Sequence, residues 1–158
     1  KKYSYAKLYI VGEGPERKNL ESRIKNQELK NSVFLTGNLS HEETFLYLTA
    51  ADVFVLNTGY EGLSHVILEA MALGVPVVTT RVGGNTELIE DGVSGRLVEY
   101  QGKEELAKAI VEILDDPSLA RKRFGGTAQK KASEFSKEIS LIFNIVFCKA
   151  VNAFAGFI

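Results

Sequence analysis

Five short apolar runs alternate with segments of helical periodicity, and this alternation constrains the fold more than any other feature of the sequence. The apolar runs cover 6–11, 32–36, 52–56, 75–80 and 95–98. The helical spacing covers 15–29, a stretch that follows Ser40, 63–73, 86–90, 102–115 and 117–134. This order predicts an α/β fold with a doubly wound, Rossmann-like parallel sheet and right-handed crossovers. The run at 52–56 is apolar on both faces, which is typical of a central strand.

Local signals predict where individual helices begin and end. Ser40 followed three residues later by Glu43 has the spacing of a capping box. Gly74 directly follows the helical pattern of 63–73, where a glycine is a common helix terminator. Pro117 suits the first turn of the helix predicted over 117–134.

Composition limits the class of protein. The chain has 158 residues, a net charge of −1, 45% hydrophobic and 25% charged residues, which indicates one globular domain over 1–158 and excludes a disordered tail, a collagen-like repeat and a disulfide scaffold. Cys148, the only cysteine, has no internal disulfide partner, which favours a reducing, cytoplasmic compartment. The near-neutral charge gives no reason to expect a nucleic-acid partner.

The ligand edge of such a sheet lies at the carboxyl ends of its strands. The loops predicted there are 12–15, 36–39, 57–62 and 81–85, and all of them contain glycine. Glycine permits positive φ and lets a ligand approach the main chain closely. We therefore expect the binding residues in these loops.

Two glutamates stand out in the otherwise apolar segment after the third run. Glu61 lies in the loop, and Gly62 to Ser64 begin the predicted helix, whose free N–H groups form an anion site suited to phosphate. Glu69 follows on the helix and could accept two hydrogen bonds from a sugar or ribose diol. Alternatively, Glu61 only favours the helix dipole and Glu69 faces solvent.

A set of motifs in order resembles the signature of family 4 retaining glycosyltransferases, which are two-domain enzymes of the GT-B fold. It includes Glu-x7-Glu, Ala-Met-Ala-x-Gly-Val-Pro-Val-Val and Gly-Gly-x-x-Glu-Leu-Ile. Further similar segments are 8–15, 33–39, 50–56 and 91–98. Together the motifs cover about 6–138, and they identify the chain as similar to the C-terminal lobe of such an enzyme.

The resemblance implies a role for each matching residue. Glu61 corresponds to the catalytic glutamate that contacts the donor sugar near the reacting carbon, and Glu69 to the one that holds the ribose hydroxyls. The other donor-binding positions are the main chain of Gly62, Leu63, Ser64 and His65 at the distal phosphate, Thr36, Gly37 and Asn38 near the base, and Gly83 and Gly84 at the border of the cleft. His65 as a catalytic base is the alternative to its main-chain role.

The activity implied is transfer of a sugar from a nucleotide-diphosphate sugar to an acceptor hydroxyl with retention, in polysaccharide or glycoconjugate biosynthesis. No metal or other cofactor is implied. The family's Arg/Lys diphosphate clamp and its N-terminal acceptor-binding domain would precede Lys1, so we expect this chain alone to bind nucleotide weakly and to turn over little or not at all.

The segment 139–158 is strongly apolar and predicts a C-terminal helix. Three alternatives stay open for this helix. It could pack on the sheet, cross over to the N-terminal domain, or contribute to peripheral membrane association of the full enzyme. Lys149, Asn144 and Asn152 near its middle argue against a transmembrane span.

Two other classes of function stay open at this stage. One is a non-catalytic nucleotide-binding or regulatory α/β module, and the other is a different nucleotide-binding enzyme. A dinucleotide cofactor domain is disfavoured, because residues 12–17 lack the last glycine of Gly-x-Gly-x-x-Gly.

Overall fold

The computed structural model describes Tyr3 and residues 5–135, which divide between two compact units, one ending at Ala51 and the other beginning at Asp52. The strands are β1 (Leu8–Val11), β2 (Val33–Gly37), β3 (Phe54–Leu56), β4 (Val77–Thr80) and β5 (Arg96–Val98). The helices are α1 (Arg17–Asn26), α2 (His41–Ala50), α3 (His65–Ala72), α4 (Asn85–Leu88), α5 (Lys103–Asp115), α6 (Pro117–Ala120) and α7 (Gly126–Glu134), with a π-helical stretch (Arg121–Gly125) between the last two. No helix of the described residues is long and apolar enough to cross a bilayer. The helix predicted over 139–158 lies outside them.

The first unit is built on a parallel pair of strands, β1 and β2, in which Tyr9 lies opposite Phe34. The Tyr9 ring stacks on Phe34 with centroids 5.0 Å apart, and Tyr47 of α2 lies 5.3 Å from the Tyr9 ring. The predicted capping box of α2 is confirmed: the Glu43 N–H donates to Ser40 Oγ at 3.2 Å, and the Ser40 N–H donates to Glu43 Oε2 at 2.8 Å. These hydrogen bonds lower the pKa of the Glu43 carboxyl.

The second unit contains a parallel three-stranded sheet in the order β3–β4–β5. All four residues of β4 are buried, as expected for the central strand of a parallel sheet. The strand predicted over 52–56 is therefore not central in this sheet, because β3 forms its edge and its residues are half-buried. The apolar character of a strand indicates that its faces are buried. It does not indicate whether the strand has hydrogen-bonded neighbours on one side or on both.

The alternation of strands and helices and the parallel pairing confirm the α/β class. The sequence predicted one sheet, whereas backbone hydrogen bonds place the five strands in two sheets, one in each unit. Which strands pair depends on contacts distant in sequence, and local patterns do not encode these contacts.

The end of α3 and the segment 117–134 meet through two glycines. Gly74 has φ +66° and its N–H donates to Met71 O at 2.9 Å, which confirms it as the residue that stops α3. A side chain at Gly125 would place its Cβ 2.6 Å from Gly74 O. Gly125 ends the π-helical stretch, so the helix predicted to be uniform over 117–134 contains a widened turn where its backbone lies against this glycine.

Candidate functional site

The loop between β3 and α3 carries the residues that the sequence singled out first. Glu61 is half-buried, Gly62 is exposed, and Ser64 is the buried N-cap of the helix. The helix begins at His65, later than the predicted start at 63, and its first hydrogen bond runs from Leu68 N to Ser64 O at 3.2 Å. The N–H groups of the first turn therefore have no acceptor within the helix, which is a general property of helix N-termini.

Glu69 lies on the buried side of α3. Its relative exposure is 7%, and the residues that flank it in sequence, Leu68 and Ala70, are fully buried. The alternative of a solvent-facing Glu69 is therefore wrong. Glu69 is not without an interaction partner, and a carboxylate in apolar surroundings needs one.

Gly83 and Gly84 bring the loop after β4 against the Glu61 loop, main chain to main chain. The Gly84 N–H donates to Glu61 O at 3.1 Å. A Cβ at Gly83 would lie 1.9 Å from Glu61 O, and one at Gly84 would lie 2.2 Å from Gly62 O. Both distances are far below van der Waals contact, so only glycine allows this approach of the two loops.

A buried polar network lies beneath the two loops. Asn85 is fully buried, and its Nδ2 donates to Thr79 Oγ1 at 2.9 Å and to Thr80 O at 3.1 Å. The Thr79 hydroxyl donates in turn to Leu56 O at 2.9 Å, and the Thr80 hydroxyl to Thr58 O at 2.7 Å. Sequence reasoning missed these residues, although two threonines that end an otherwise apolar buried strand are a signal for such a network.

The three candidates near the nucleotide base belong to the first unit. Thr36 is half-buried and its hydroxyl lies 3.2 Å from Ile10 O. Gly37 is buried with φ +74°, and its carbonyl accepts a hydrogen bond from Gly12 N at 2.9 Å. Asn38 is exposed. In the second unit, the structure brings residues 61–64 together with residues 83–84. Residues 36–38 belong to the first unit.

Comparison with known proteins gives the family. Residues 1–131 match the family described as glycosyl transferases group 1. The chain belongs to this family. It is 37% identical over 127 residues to alpha-D-kanosaminyltransferase of Streptomyces kanamyceticus, a match that covers 80% of this chain and 33% of the relative. The chain spans about a third of the length of the curated relatives it matches.

Two solved structures show the same fold. The crystal structure of Anabaena HepE in complex with UDP is 27% identical, with a TM-score of 0.74 over 90% of this chain and 42% of that one. The C-terminal domain of a group 1 family protein, LpcC of Francisella tularensis, is 26% identical, with a TM-score of 0.74 over 84% of this chain and 71% of that one. The chain is therefore an α/β, Rossmann-like lobe of the GT-B type.

Aromatic side chains flank the Glu61 loop of this group 1 glycosyltransferase domain. Tyr60 is 86% exposed directly before Glu61. The Tyr100 ring lies over Gly59, where a Cβ would be 2.9 Å from Tyr100 Cζ. Sequence reasoning did not single out either tyrosine, because an exposed aromatic in a loop has no periodicity to mark it.

Charge at the carboxyl end of β4 in the glycosyltransferase domain is paired. Arg81 follows this strand, and its Nη2 lies 3.5 Å from Asp91 Oδ2 while its Nε lies 3.4 Å from Glu99 Oε1. Its guanidinium is therefore engaged by two carboxylates. Within residues 5–135, no three histidine, cysteine or acidic side chains are grouped so that they could hold a metal ion.

Proposed function

We propose that the chain is the donor-binding half of a family 4 retaining glycosyltransferase. In this proposal the enzyme transfers a sugar from a nucleotide-diphosphate sugar to an acceptor hydroxyl and retains the configuration of the anomeric carbon. The observation that carries the proposal is one short stretch of chain, in which the helix start at Ser64 and the buried Glu69 lie on the same element, α3.

The start of α3 suits a diphosphate. Its N–H groups and the positive end of its dipole attract anions. Apart from the two neighbours of Gly62 in the chain, no atom of the described residues lies within 4 Å of the position that a Cβ on Gly62 would occupy, which leaves space for a ligand beside this part of the main chain. We propose that the main chain of Gly62, Leu63, Ser64 and His65 binds the distal phosphate of the donor.

In this proposal the two glutamates bind the two sugars of the donor, which are the ribose and the transferred sugar. Glu69 accepts hydrogen bonds from the ribose hydroxyls, because a carboxylate can accept from both at once. Glu61 orients the donor sugar beside the reacting carbon. The candidates at the nucleotide base are Thr36, Gly37 and Asn38. One crystal structure of Anabaena HepE is a complex with UDP and another is a complex with UDP-glucose, which supports a nucleotide sugar as the donor.

Catalysis in this proposal rests on charge stabilisation. The diphosphate leaving group gains negative charge as the glycosidic bond breaks, and the start of α3 stabilises part of it without a metal. In this proposal the Arg/Lys clamp belongs to the loop after the first strand of this lobe, and the acceptor site belongs to the N-terminal domain of the full enzyme. We accordingly propose that this chain alone binds nucleotide weakly and has little turnover. A nucleotide-sugar donor and a lone cysteine both suit a cytoplasmic enzyme.

The donor site is tested by calorimetric titration of the chain with UDP and other nucleoside diphosphates, for the wild type and for Glu69→Gln. We expect Glu69→Gln to weaken binding at least tenfold, because the neutral amide is a poorer acceptor for two hydroxyls. The control is Glu87→Gln, since Glu87 is an exposed glutamate of α4. Equal affinity in the wild type and Glu69→Gln would refute the ribose role.

Retention is tested on the full enzyme with a panel of nucleotide sugars. The anomeric configuration of the product is read from its proton coupling constant. The proposal expects the configuration of the donor, and an inverted product would exclude it. Binding of nucleotide with no transfer to any acceptor would favour a regulatory module instead.

A further inference from the structure

The segment from Thr79 to Asn85 supports the Glu61 loop at both of its ends. At the start of the loop, the Thr80 hydroxyl donates to Thr58 O at 2.7 Å. At its end, the Gly84 N–H donates to Glu61 O at 3.1 Å. A loop that is hydrogen-bonded at two points to a neighbouring segment has little freedom to shift its main chain.

Position 84 requires glycine because of its contact with the Glu61 loop, and its backbone dihedral angles do not require one. Gly84 has φ −66° and ψ −11°, a conformation that any residue adopts. A Cβ there would lie 2.2 Å from Gly62 O, which is a main-chain atom that cannot rotate away as a side chain would. Gly83 adds a positive φ of +45° and an even closer approach to Glu61 O.

Asn85 fixes this glycine pair to the sheet. Its side chain is fully buried, and both of its amide hydrogen bonds go to the end of β4, at Thr79 Oγ1 and Thr80 O. Any displacement of Asn85 would move the preceding Gly84, and with it the N–H that holds Glu61 O.

We propose that Gly83, Gly84 and Asn85 are positioning residues, which form a template for the main chain of Glu61 and Gly62. This inference rests on the proposed function, because it assigns a purpose to the loop only if that loop holds the donor. It separates two roles among the glycines of the site. Gly62 leaves open space for a ligand, whereas the space beside the Cα atoms of Gly83 and Gly84 is occupied by the protein itself.

The test compares two glycine substitutions in the 158-residue chain labelled with ¹⁵N. Gly84→Ala introduces the clash with Gly62 O. Gly126→Ala is the matched control, because Gly126 also has a helical φ and, within the part of the chain that the structure describes, a Cβ there meets no atom within 4 Å beyond its chain neighbours and its own helix backbone. We expect Gly84→Ala to shift the amide resonances of residues 61–65 and to raise the dissociation constant for UDP at least tenfold. We expect Gly126→Ala to leave the amide resonances of residues 61–65 unshifted and the dissociation constant for UDP within twofold of the wild type.

A second variant covers the case in which Gly84→Ala does not fold. Thr80→Val keeps the shape of the side chain and removes only the hydroxyl that holds Thr58 O. We expect it to shift the amide resonances of residues 57–61 and to weaken UDP binding about threefold.

Failure of this inference and failure of the proposed function give different results. A folded Gly84→Ala chain with unchanged resonances at residues 61–65 overturns the positioning role. So does Thr80→Val with unchanged resonances at 57–61. A wild-type chain that binds no nucleoside diphosphate overturns the proposed function, and the resonance shifts then still decide whether the template exists.

Discussion

The side-chain amide of Asn85 donates a hydrogen bond of 2.9 Å to the hydroxyl oxygen of Thr79, and both residues are fully buried. Because the Thr79 hydroxyl itself donates to Leu56 O at 2.9 Å, this pair ties the start of α4 to the ends of two strands. Chained hydrogen bonds in a buried setting are costly to break, since each loss leaves a desolvated polar group.

We therefore expect Asn85→Ala to lower the free energy of unfolding by about 2–3 kcal/mol, through two lost hydrogen bonds and a small cavity. Urea titration followed by circular dichroism measures the change. Asn19→Ala is the control, because Asn19 is exposed and its side-chain amide donates to Glu16 Oε2, which is also at the surface. Equal destabilisation by the two substitutions would contradict a special role for the buried amide.

Gly62→Ala separates ligand space from protein packing. Among the described residues, only the two chain neighbours of Gly62 can lie within 4 Å of the added methyl group. The melting temperature should therefore stay within about 1 °C of the wild type, since a surface change without new packing contacts alters stability little. UDP binding should weaken about tenfold, because the methyl group enters the space assigned to the phosphate. Calorimetry on the same samples measures it, and unchanged affinity would show that no ligand occupies this position.

Ser40→Ala removes one half of the capping box of α2. We expect a loss of about 1 kcal/mol at pH 7, which is typical of a lost N-cap side chain. The hydrogen bonds to Ser40 lower the pKa of Glu43, so the stability they add is present above the ordinary carboxyl value of 4.5 and is lost as the pH falls through the lowered value. Unfolding curves at several pH values test this. Because Ser40→Ala keeps the backbone N–H that donates to Glu43 Oε2, the variant that isolates this contribution is Glu43→Gln. The difference between wild type and Glu43→Gln should shrink in acid, and a difference that stays constant would contradict the assignment.

Asp52 has the opposite dependence on pH. Burial raises the pKa of its carboxyl, and the charge of Arg121 partly offsets this effect. Its stabilising contribution is therefore present below the ordinary value of 3.8 and is lost as the pH rises through the raised value. Asp52→Asn should gain stability relative to the wild type over this interval. Arg121→Gln should move the wild-type loss to higher pH, and a shift to lower pH would contradict the assignment.

Features encoded within a few residues could be predicted from the sequence. The capping box of Ser40 and Glu43 and the terminator Gly74 depend on neighbouring positions, so their patterns were sufficient. The apolar residues around Glu69 left two alternatives open, a buried carboxylate with a partner or a solvent-facing one, and the structure shows the buried one. Membership of the glycosyl transferases group 1 family likewise followed from motifs in order along the chain.

Features that depend on distant contacts could not be predicted. The place of β3 at the edge of its sheet depends on which strands pair. Gly83 and Gly84 were assigned to the border of the cleft from the family resemblance, and no local pattern indicated that the carbonyls of Glu61 and Gly62 lie against them. Asn85 lacked a signal of its own, because a buried asparagine is recognised only by its partners.

The π-helical stretch at Arg121–Gly125 sets the angular phase of the helical segment around it. The residues at 120, 124, 128 and 132 are all buried and recur every four positions. In a uniform α-helix of 3.6 residues per turn, a period of four drifts by about 40° at each step, and the apolar stripe would wind away from α3, which α7 contacts. The widened turn absorbs this drift. Removal of a single residue from the stretch would restore the ordinary pitch and would leave Ala128 and Ala132 seven and eleven positions after Ala120, within about 20° of its direction. The widened turn therefore lets the chain carry one additional residue while the same face stays against α3.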